Sequence, residues 1–495
     1  MRPGHAIPVV LAAVLGLSTA FLSSCESQKA VTASADDGKI PITTKSDDAR
    51  KEFVQGRDLF ERLLAQDSVS HFDKAIALDP TFASAELARA NASATAGDFF
   101  AHLNKAVALA GNASQGEQLL ISATEDGANG NAGAQRQDLE KLVAAYPKDE
   151  RAQVALGNYY FGQQDFAQAI THYKQAIAAA PDYSPAYNIL GYAYRQSGDY
   201  SDAEQTFKKY TELIPNDPNP YDSYGELLLK MGRFEDSIVQ YRKALSVDTH
   251  FNPSHFGIAA DLMYLNKSDD ATAELQKMAD QARNDGELRT AYFGMAVVAS
   301  DGGRFDRALE AMDKEYAVAE KTGDAASMSA DLQAKGNILL AAAKYGEAQQ
   351  VFERSQSIVE GSNLSQQMKN NAQLQLHFNL AEVALGKKDF AAAKMHTEEF
   401  RHAARNPAQD RQLHELSGRL ALARKDYKTA IAELQQANLQ DPRNLYRLGD
   451  ACQASGDGHK AREYYRQAAA FNSLPQLNYA FIRRKAEKMA SGTKA

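Results

Sequence analysis

Large, small and charged residues recur in one order along residues 49–475, with a period close to 34 positions. Each copy has a large residue before glycine, a charged residue before an aromatic one, and a small residue four positions before another aromatic. Three consecutive copies are in register: Leu156-Gly157, Tyr160, Asp165-Phe166, Ala169, Tyr173, Ala176 and Pro181; Leu190-Gly191, Tyr194, Asp199-Tyr200, Ala203, Phe207, Tyr210 and Pro215; Tyr224-Gly225, Leu228, Arg233-Phe234, Ser237, Tyr241 and Ala244. This regularity predicts one supersecondary unit used many times.

Each copy is typical of two antiparallel helices joined by a short turn. Small residues such as Gly157, Ala169 and Ala176 let the two helices approach closely, while Tyr160 and Tyr173 fill the space on either side. A carboxylate before the second helix caps its first turn, and a proline ends the copy. Because no single unit can bury its apolar faces alone, we expect the units to stack into an array.

The repeat resembles the tetratricopeptide (TPR) repeat at its defining positions. That resemblance implies an all-α fold, a right-handed superhelix of about twelve helix-turn-helix units. The small residue near the start of each second helix marks the units: Ser68, a degenerate unit near His102, Gln135, Ala169, Ala203, Ser237, Ala271, Ala308, Ala348, Ala393, Ala430 and Ala461. From Gln135 to Ala271 every spacing is 34, and the later spacings are 37, 40, 45, 37 and 31.

These spacings predict the domain organisation. A regular block covers 49–285, longer irregular units cover 286–410, and terminal units cover 411–475. A bend or hinge is expected near 280–290. Residues 476–495, which include Phe481-Ile482-Arg483-Arg484-Lys485, are interpreted as a polar capping helix with a frayed tail, the alternative being a basic patch that contacts a membrane.

The N-terminus has the features of a targeting segment. Arg2 precedes an apolar stretch from Ile7 to Leu22, and the quartet Leu22-Ser23-Ser24-Cys25 resembles a bacterial lipobox. The resemblance implies that residues 1–24 are a signal peptide and that Cys25 carries a lipid anchor. Because the residue after the cysteine is Glu26, the resemblance also implies that the protein is located at the outer membrane. An uncleaved membrane helix or an ordinary secretory signal are the alternatives. Residues 25–48 then form a flexible tether.

Composition excludes several classes of protein. Of 495 residues, 44% are hydrophobic and 24% are charged, which is the balance of a folded chain. The net charge of −8 lacks the basic excess that binding to a phosphate backbone requires, so nucleic acid is not an expected partner. The second cysteine, Cys452, falls at a core position of a repeat and is expected to be buried and inert.

Residues with catalytic or metal-binding potential do not form a recognised motif. The glycine-rich run 127–133 lies at the turn of the third unit, without a preceding strand, and is interpreted as a loop. His396 and His402 are six positions apart, a spacing that does not place them on one helix face. The sequence therefore predicts a protein that is not an enzyme and uses no cofactor and no metal.

The remaining functional surface is the groove lined by the first helix of each unit. Counting positions from the start of these helices predicts seven partner-binding residues: Asn158, Phe161, Asn188, Tyr192, Arg195, Asp222 and Glu226. Amides, rings and charges of this kind suit an extended peptide or a helix. Chaperone-binding relatives have a set of residues, the carboxylate clamp, that binds a C-terminal carboxylate. That set is absent from this sequence, since only Asn158 matches it.

The sequence thus predicts a lipid-anchored scaffold at the periplasmic face of the outer membrane that recruits or assembles partner proteins. A glycan- or peptide-capturing lipoprotein of an uptake system is the alternative. Sugar platforms of that class stack ligands on tryptophan, whereas this chain has none. A hydrolase is disfavoured because no catalytic constellation is found.

Overall fold

The computed structural model describes residues 38–93 and 96–492. This part of the chain contains 26 α-helices and one short 3₁₀ helix, Ala110–Asn112, and no strand. The helices up to residue 230 are α1 Asp47–Glu61, α2 Ala65–Leu78, α3 Ala83–Asn91, α4 Ala96–Leu109, α5 Gln115–Ala128, α6 Ala132–Ala145, α7 Glu150–Gly162, α8 Phe166–Ala179, α9 Ser184–Ser197, α10 Tyr200–Leu213 and α11 Pro218–Lys230. The later helices are α12 Phe234–Val247, α13 Asn252–Tyr264, α14 Ser268–Asp280, α15 Asp285–Asp301, α16 Phe305–Thr322, α17 Ala325–Ala341, α18 Tyr345–Glu360, α19 Gln366–Gly386, α20 Phe390–Ala403, α21 Pro407–Ala423, α22 Tyr427–Leu434, α23 Pro442–Ser455, α24 Gly458–Ala469, α25 Leu477–Ala480 and α26 Arg483–Ala490.

Helices α1–α24 form twelve consecutive pairs, which confirms the predicted helix-turn-helix array. Each small residue that marks a unit lies in the second helix of a pair, from Ser68 in α2 to Ala461 in α24. The glycines of the first helices lie against rings of the second helices. A Cβ added to Gly191 would lie 2.6 Å from the Phe207 ring, so only glycine allows this approach.

Capping residues explain where many of the second helices begin. The Asp165 carboxylate accepts a hydrogen bond from the Gln168 backbone N–H. Asp389 and Asp426 cap α20 and α22 in the same way. Asp199 departs from the predicted pattern, because its carboxylate accepts from the Ser197 hydroxyl and caps no backbone N–H of α10.

The chain divides into two compact units, residues 1–224 and residues 225–495, called here the N-terminal and C-terminal units. This division falls within α11, whereas the repeat spacing places the change of character at 285. The boundary given by repeat lengths along the sequence therefore differs from the boundary between the two compact units in space.

Residues 38–46, called here the strap, contain neither helix nor strand and lie on the N-terminal unit. The backbone N–H of Ile40 donates to Asp149 at 2.8 Å, and that of Thr43 donates to Glu117 at 3.0 Å. Helix α1 begins directly after the strap, at Asp47. The prediction of a flexible tether is therefore wrong for residues 38–48, because their polar backbone groups have partners in the repeats.

Residues 470–490, called here the arm, follow the last helix pair of the C-terminal unit. Helix α26 packs on α24 as a capping helix does, and α25 contacts α15, α17 and α23. Arg483 is not at a polar surface as predicted: its guanidinium is buried and donates to both carboxylate oxygens of Asp301 at 2.6 and 2.7 Å. The arm therefore connects the end of the array to its own earlier repeats.

None of the described helices is both long enough and apolar enough to span a bilayer. The predicted signal peptide, the predicted lipidation site Cys25 and residues 25–37 of the predicted tether lie outside the described residues.

Candidate binding surface of the N-terminal unit

Three acidic residues at helix ends hold the strap. Asp79 follows α2, Glu117 is in the first turn of α5, and Asp149 caps the start of α7. Their carboxylates accept from the backbone N–H groups of Lys45, Thr43 and Ile40, respectively. The strap therefore crosses successive repeats from α7 back towards α1, bound through its main chain.

Two of these acids, Asp149 and Glu117, also stabilise their own helix ends. Asp149 accepts from the Arg151 and Ala152 backbone N–H groups with one oxygen and from Ile40 with the other. Glu117 forms a capping box with Ser114 and uses its second oxygen for Thr43. The helix caps thus hold both carboxylates with one oxygen towards the strap, and in Glu117 that oxygen also accepts from the Ser84 hydroxyl at 2.7 Å.

Asp79 makes the densest set of contacts with the strap. One oxygen accepts from the Thr81 backbone and hydroxyl, and the other accepts from the Thr44 hydroxyl at 2.6 Å and the Lys45 backbone at 3.0 Å. Burial opposes ionisation, but the hydrogen bonds from Thr44, Thr81 and Lys45 outweigh it and lower the pKa of Asp79 to about 2. The Asp79 carboxylate is therefore ionised near neutral pH when the strap is bound.

Side chains of the strap add apolar and charged contacts. Ile40 lies beside Gly116 and the Tyr146 ring, where a Cβ on the glycine would come within 3.0 Å of Ile40 Cγ2. Ile42 packs on the cluster that contains Phe53. The Lys39 ammonium pairs with Glu150, and the Arg50 guanidinium donates to the Ile42 carbonyl at 2.6 Å.

A cavity of about 780 Å³ lies between the strap and the inner faces of α1, α3, α5 and α7. Its apolar wall includes Phe60, Leu87, Ala88, Val154 and Ala155. Its polar wall includes charged groups, among them Arg57, Glu61 and Arg151, and the amides of Asn91 and Asn158. A cavity of this volume is in the range of small-molecule and peptide sites.

Arg151 is the most heavily paired cation in the cavity wall. Its guanidinium contacts both oxygens of Glu61, at 2.7 and 3.1 Å, and one oxygen of Glu150 at 2.5 Å. It also lies 5.0 Å from the centre of the Tyr183 ring. Burial lowers the pKa of neighbouring Arg57, and the charge of Arg151 lowers it further.

The seven predicted groove residues are not one open surface. Asn158 lines the cavity and accepts a hydrogen bond from the Tyr173 hydroxyl, and Phe161 is half-buried against Phe166. The other five are buried: Asn188, Tyr192, Arg195, Asp222 and Glu226.

Tyr192 shows why counting helix positions gives the wrong exposure. Its ring packs edge-on against Phe207 of α10, 5.3 Å between centres, and the Arg195 guanidinium lies 4.7 Å from its centre. Tyr192 therefore takes part in the packing of α9 against α10. The role of the seven residues in partner binding stays a prediction.

Other residues with reactive side chains take structural positions. Cys452 is buried beside Ala461 and Tyr465, as predicted, and burial raises the pKa of its thiol. The glycine-rich run includes the turn between α5 and α6. Within residues 38–93 and 96–492, no group of three potential ligands is arranged for a metal ion.

Sequence reasoning missed the acids that bind the strap and the arginines on α1. Asp79 and Asp149 were visible only as residues at repeat junctions, the position where a helix cap is expected. The apolar-Pro-apolar order of Ile40-Pro41-Ile42 was the available signal, because a fully solvated tether has no need of such residues.

Comparison with known proteins agrees with the fold. One family model described as tetratricopeptide repeat matches residues 154–218, and a second matches 219–250 and 442–473. No curated protein matches the chain.

Several solved structures are similar to this one. A tetratricopeptide repeat protein from Parabacteroides merdae ATCC 43184 is 16% identical with a TM-score of 0.38, covering 54% of this chain and 98% of its own. The MamA protein is 18% identical with a TM-score of 0.29, covering 34% and 91%. YrrB, described as a TPR protein with an unusual peptide-binding site, is 17% identical with a TM-score of 0.27, covering 36% and 91%. Likenesses at this level carry no argument about function.

Proposed function

The chain is a tetratricopeptide-repeat protein, and from that premise we propose that it is a non-enzymatic scaffold that binds partner proteins. Repeats of this family generally serve protein interaction. We further propose that Cys25 carries a lipid, which holds the scaffold at the periplasmic face of a bacterial outer membrane. Extended segments of the partners bind to the N-terminal unit, on the surface that the strap covers.

The strap is the observation that carries this proposal. It is a non-helical polypeptide segment bound to the repeats through main-chain N–H groups at Ile40, Thr43 and Lys45. Because these donors are common to all residues except proline, the acids that accept them can bind another segment of different sequence. Specificity then comes from the side-chain contacts at Lys39, Ile40 and Ile42.

A partner segment competes with the strap in this arrangement. Local concentration favours the strap, because it is covalently joined to α1. A partner therefore binds more weakly to the natural chain than to one whose strap has been replaced.

The experiment uses a chain in which residues 38–45 are replaced by a glycine-serine segment of equal length that has proline at positions 40, 43 and 45, because proline has no backbone N–H to donate to the three acids. A synthetic peptide with the sequence of residues 38–46 should bind this chain saturably. A peptide methylated on the backbone nitrogens of Ile40 and Thr43 is the matched control, because it cannot donate to Asp149 and Glu117. Equal affinity of the two peptides would refute main-chain recognition.

The same replacement tests partner binding in cells. Affinity purification from solubilised envelopes should recover more of a partner with the replaced chain, and the synthetic peptide should release it. Asp79→Asn in the replaced chain should weaken recovery, whereas Asp248→Asn should not. Asp248 occupies a similar helix-end position in the C-terminal unit and bonds to the His250 backbone N–H.

The lipid anchor is tested separately. Cys25→Ser should release the protein from membranes, because acyl chains contribute about 0.8 kcal/mol per buried CH₂. Sedimentation of the variant with the envelope would contradict the proposed anchor and leave the peptide result unaffected.

A further inference from the structure

The cavity lined by the strap contains a cation that has no carboxylate bonded to it. Arg57 of α1 lies 5.6 Å from the centre of the Phe53 ring, and it donates no hydrogen bond and forms no ion pair to another described residue. Arg50, two turns earlier on the same face, donates to the neutral carbonyl of Ile42. A partly buried guanidinium of this kind is costly unless an anion accompanies it.

The acids in the cavity wall are engaged elsewhere. Glu61 holds Arg151 with both oxygens, and Glu150 pairs with Lys39 and Arg151. Asp149 and Glu117 each divide their oxygens between a helix N-terminus and the strap. None of these four carboxylates is therefore bonded to Arg57.

Burial and the charge of Arg151 lower the pKa of Arg57, although Glu61 and Asp149 act in the opposite direction. The nearby acids, which raise the pKa of Arg57, therefore do not offset the lowering caused by burial and by Arg151. An arginine remains protonated in spite of such a shift, so its charge persists in the cavity.

The rest of the wall defines the body of a ligand. Side chains of α1, α3 and α7 supply an apolar surface that includes Phe60, Leu87 and Val154. The amides of Asn91 and Asn158 provide polar contacts in the same cavity. The strap forms the remaining wall with Ile40, Pro41 and Ile42.

We propose that this cavity is a binding site for a small amphipathic carboxylate, with the carboxylate on Arg57 and the apolar body along α3 and α7. The guanidinium presents parallel N–H donors that match the two oxygens of a carboxylate. The strap covers the bound molecule. This proposal differs from the partner-binding proposal, since its ligand does not replace the strap but uses Ile40, Pro41 and Ile42 of the bound strap as one wall.

The test is calorimetric titration of the purified chain from residue 26 onward, which retains every described residue. Dodecanoate and dodecanol are the probes, because they share an apolar body and differ in charge. Dodecanoate should bind saturably at one site and at least tenfold more tightly than dodecanol. Arg57→Gln should remove that difference, while Arg136→Gln, an exposed arginine of α6 outside the cavity wall, should preserve it.

A second variant addresses the cavity without changing its charge. Ala88→Phe places a ring in the void and should abolish binding of dodecanoate, with thermal melting as the check on folding. Unsaturable uptake of dodecanoate, or equal binding to the natural chain and to Arg57→Gln, would overturn the proposal. So would undiminished binding to a folded Ala88→Phe chain.

Discussion

The two compact units each bind a segment of their own chain, but they do so by different means. The strap is attached to the N-terminal unit through backbone N–H groups and the carboxylates of Asp79, Glu117 and Asp149. The arm is attached to the C-terminal unit through side chains, with Leu477, Tyr479 and Ile482 in the apolar core. The strap depends mainly on groups that any polypeptide has, with added side-chain contacts from Lys39, Ile40 and Thr44. The arm depends mainly on particular side chains, with added contacts to the backbone carbonyls of Phe471 and Ser473.

Burial follows the same distinction. The Arg483 side chain of the arm is 2% exposed, whereas the Lys39 side chain of the strap is 32% exposed. Lys230 adds a hydrogen bond to the Phe471 carbonyl and lies 4.4 Å from the centre of the Phe471 ring. We therefore expect the strap to open more readily than the arm.

The largest effect should come from breaking the arm. Arg483→Ala leaves the buried Asp301 carboxylate without its bidentate partner and should lower the free energy of unfolding by about 3–5 kcal/mol. Arg484→Ala is the control, since this half-exposed arginine contacts the same carboxylate through one nitrogen. Urea unfolding measures both, and equal losses would contradict the importance of burial.

A smaller effect should be shared by the two units, because both use the same helix-pair packing. Gly191→Ala and Gly336→Ala bring a Cβ against the rings of Phe207 and Phe352 and should each cost about 1–3 kcal/mol. Gly346→Ala is the control, because no atom outside its own helix lies within 4 Å. Thermal melts should show two destabilised variants and a third that is unchanged or slightly stabilised.

The strap should respond to acid through Asp79. Its pKa falls from 3.8 to about 2 on folding, so the ionised carboxylate adds stability above pH 4, which is lost as the pH falls towards 2. The full contribution is about 2 kcal/mol, part of which comes from Thr81 in its own turn. The difference in unfolding free energy between the natural chain and Asp79→Asn should shrink by about 1 kcal/mol between pH 6 and pH 3. A constant difference would contradict this assignment.

The smallest effect on global stability should come from the strap's lysine. Lys39→Ala removes a pair with Glu150 that is partly exposed, and should change the free energy of unfolding by less than about 0.5 kcal/mol. Hydrogen exchange at Ile40 and Thr43 should nevertheless become faster, while exchange in α26 stays the same. If the strap of the natural chain exchanged more slowly than α26, the strap and not the arm would be the more firmly attached segment.

The sequence was sufficient to predict the helix pairs, because their contacts are local. Gly191 meets Phe207 only 16 positions later, so a period of 34 contains the whole interaction. The strap and the arm were not predictable in this way. Ile40 bonds to Asp149 across 109 positions and Arg483 bonds to Asp301 across 182, and neither pair repeats along the chain.

The candidate site was predicted only in part for a related reason. Asn158 lines the cavity, as expected of a first-helix residue, but Tyr192 at a comparable position is covered by Phe207. Exposure of such positions depends on what neighbouring helices place over them. Arg57 lies in the first helix, ahead of the three copies that match the repeat best. Repeat spacing gives no signal for this residue, because what distinguishes it is that no acid in the cavity wall is bonded to it.

The pairing of Arg483 with Asp301 also has a consequence for synthesis of the chain on the ribosome. The two residues are 182 positions apart, so at 5–20 residues per second the aspartate waits roughly 10–40 s for its partner. During that interval the repeats after Asp301 emerge and pair locally, each needing only its neighbour. The carboxylate becomes neutralised only when translation has reached the arm, and a nascent chain released earlier keeps an unpaired charge where the finished protein has a core.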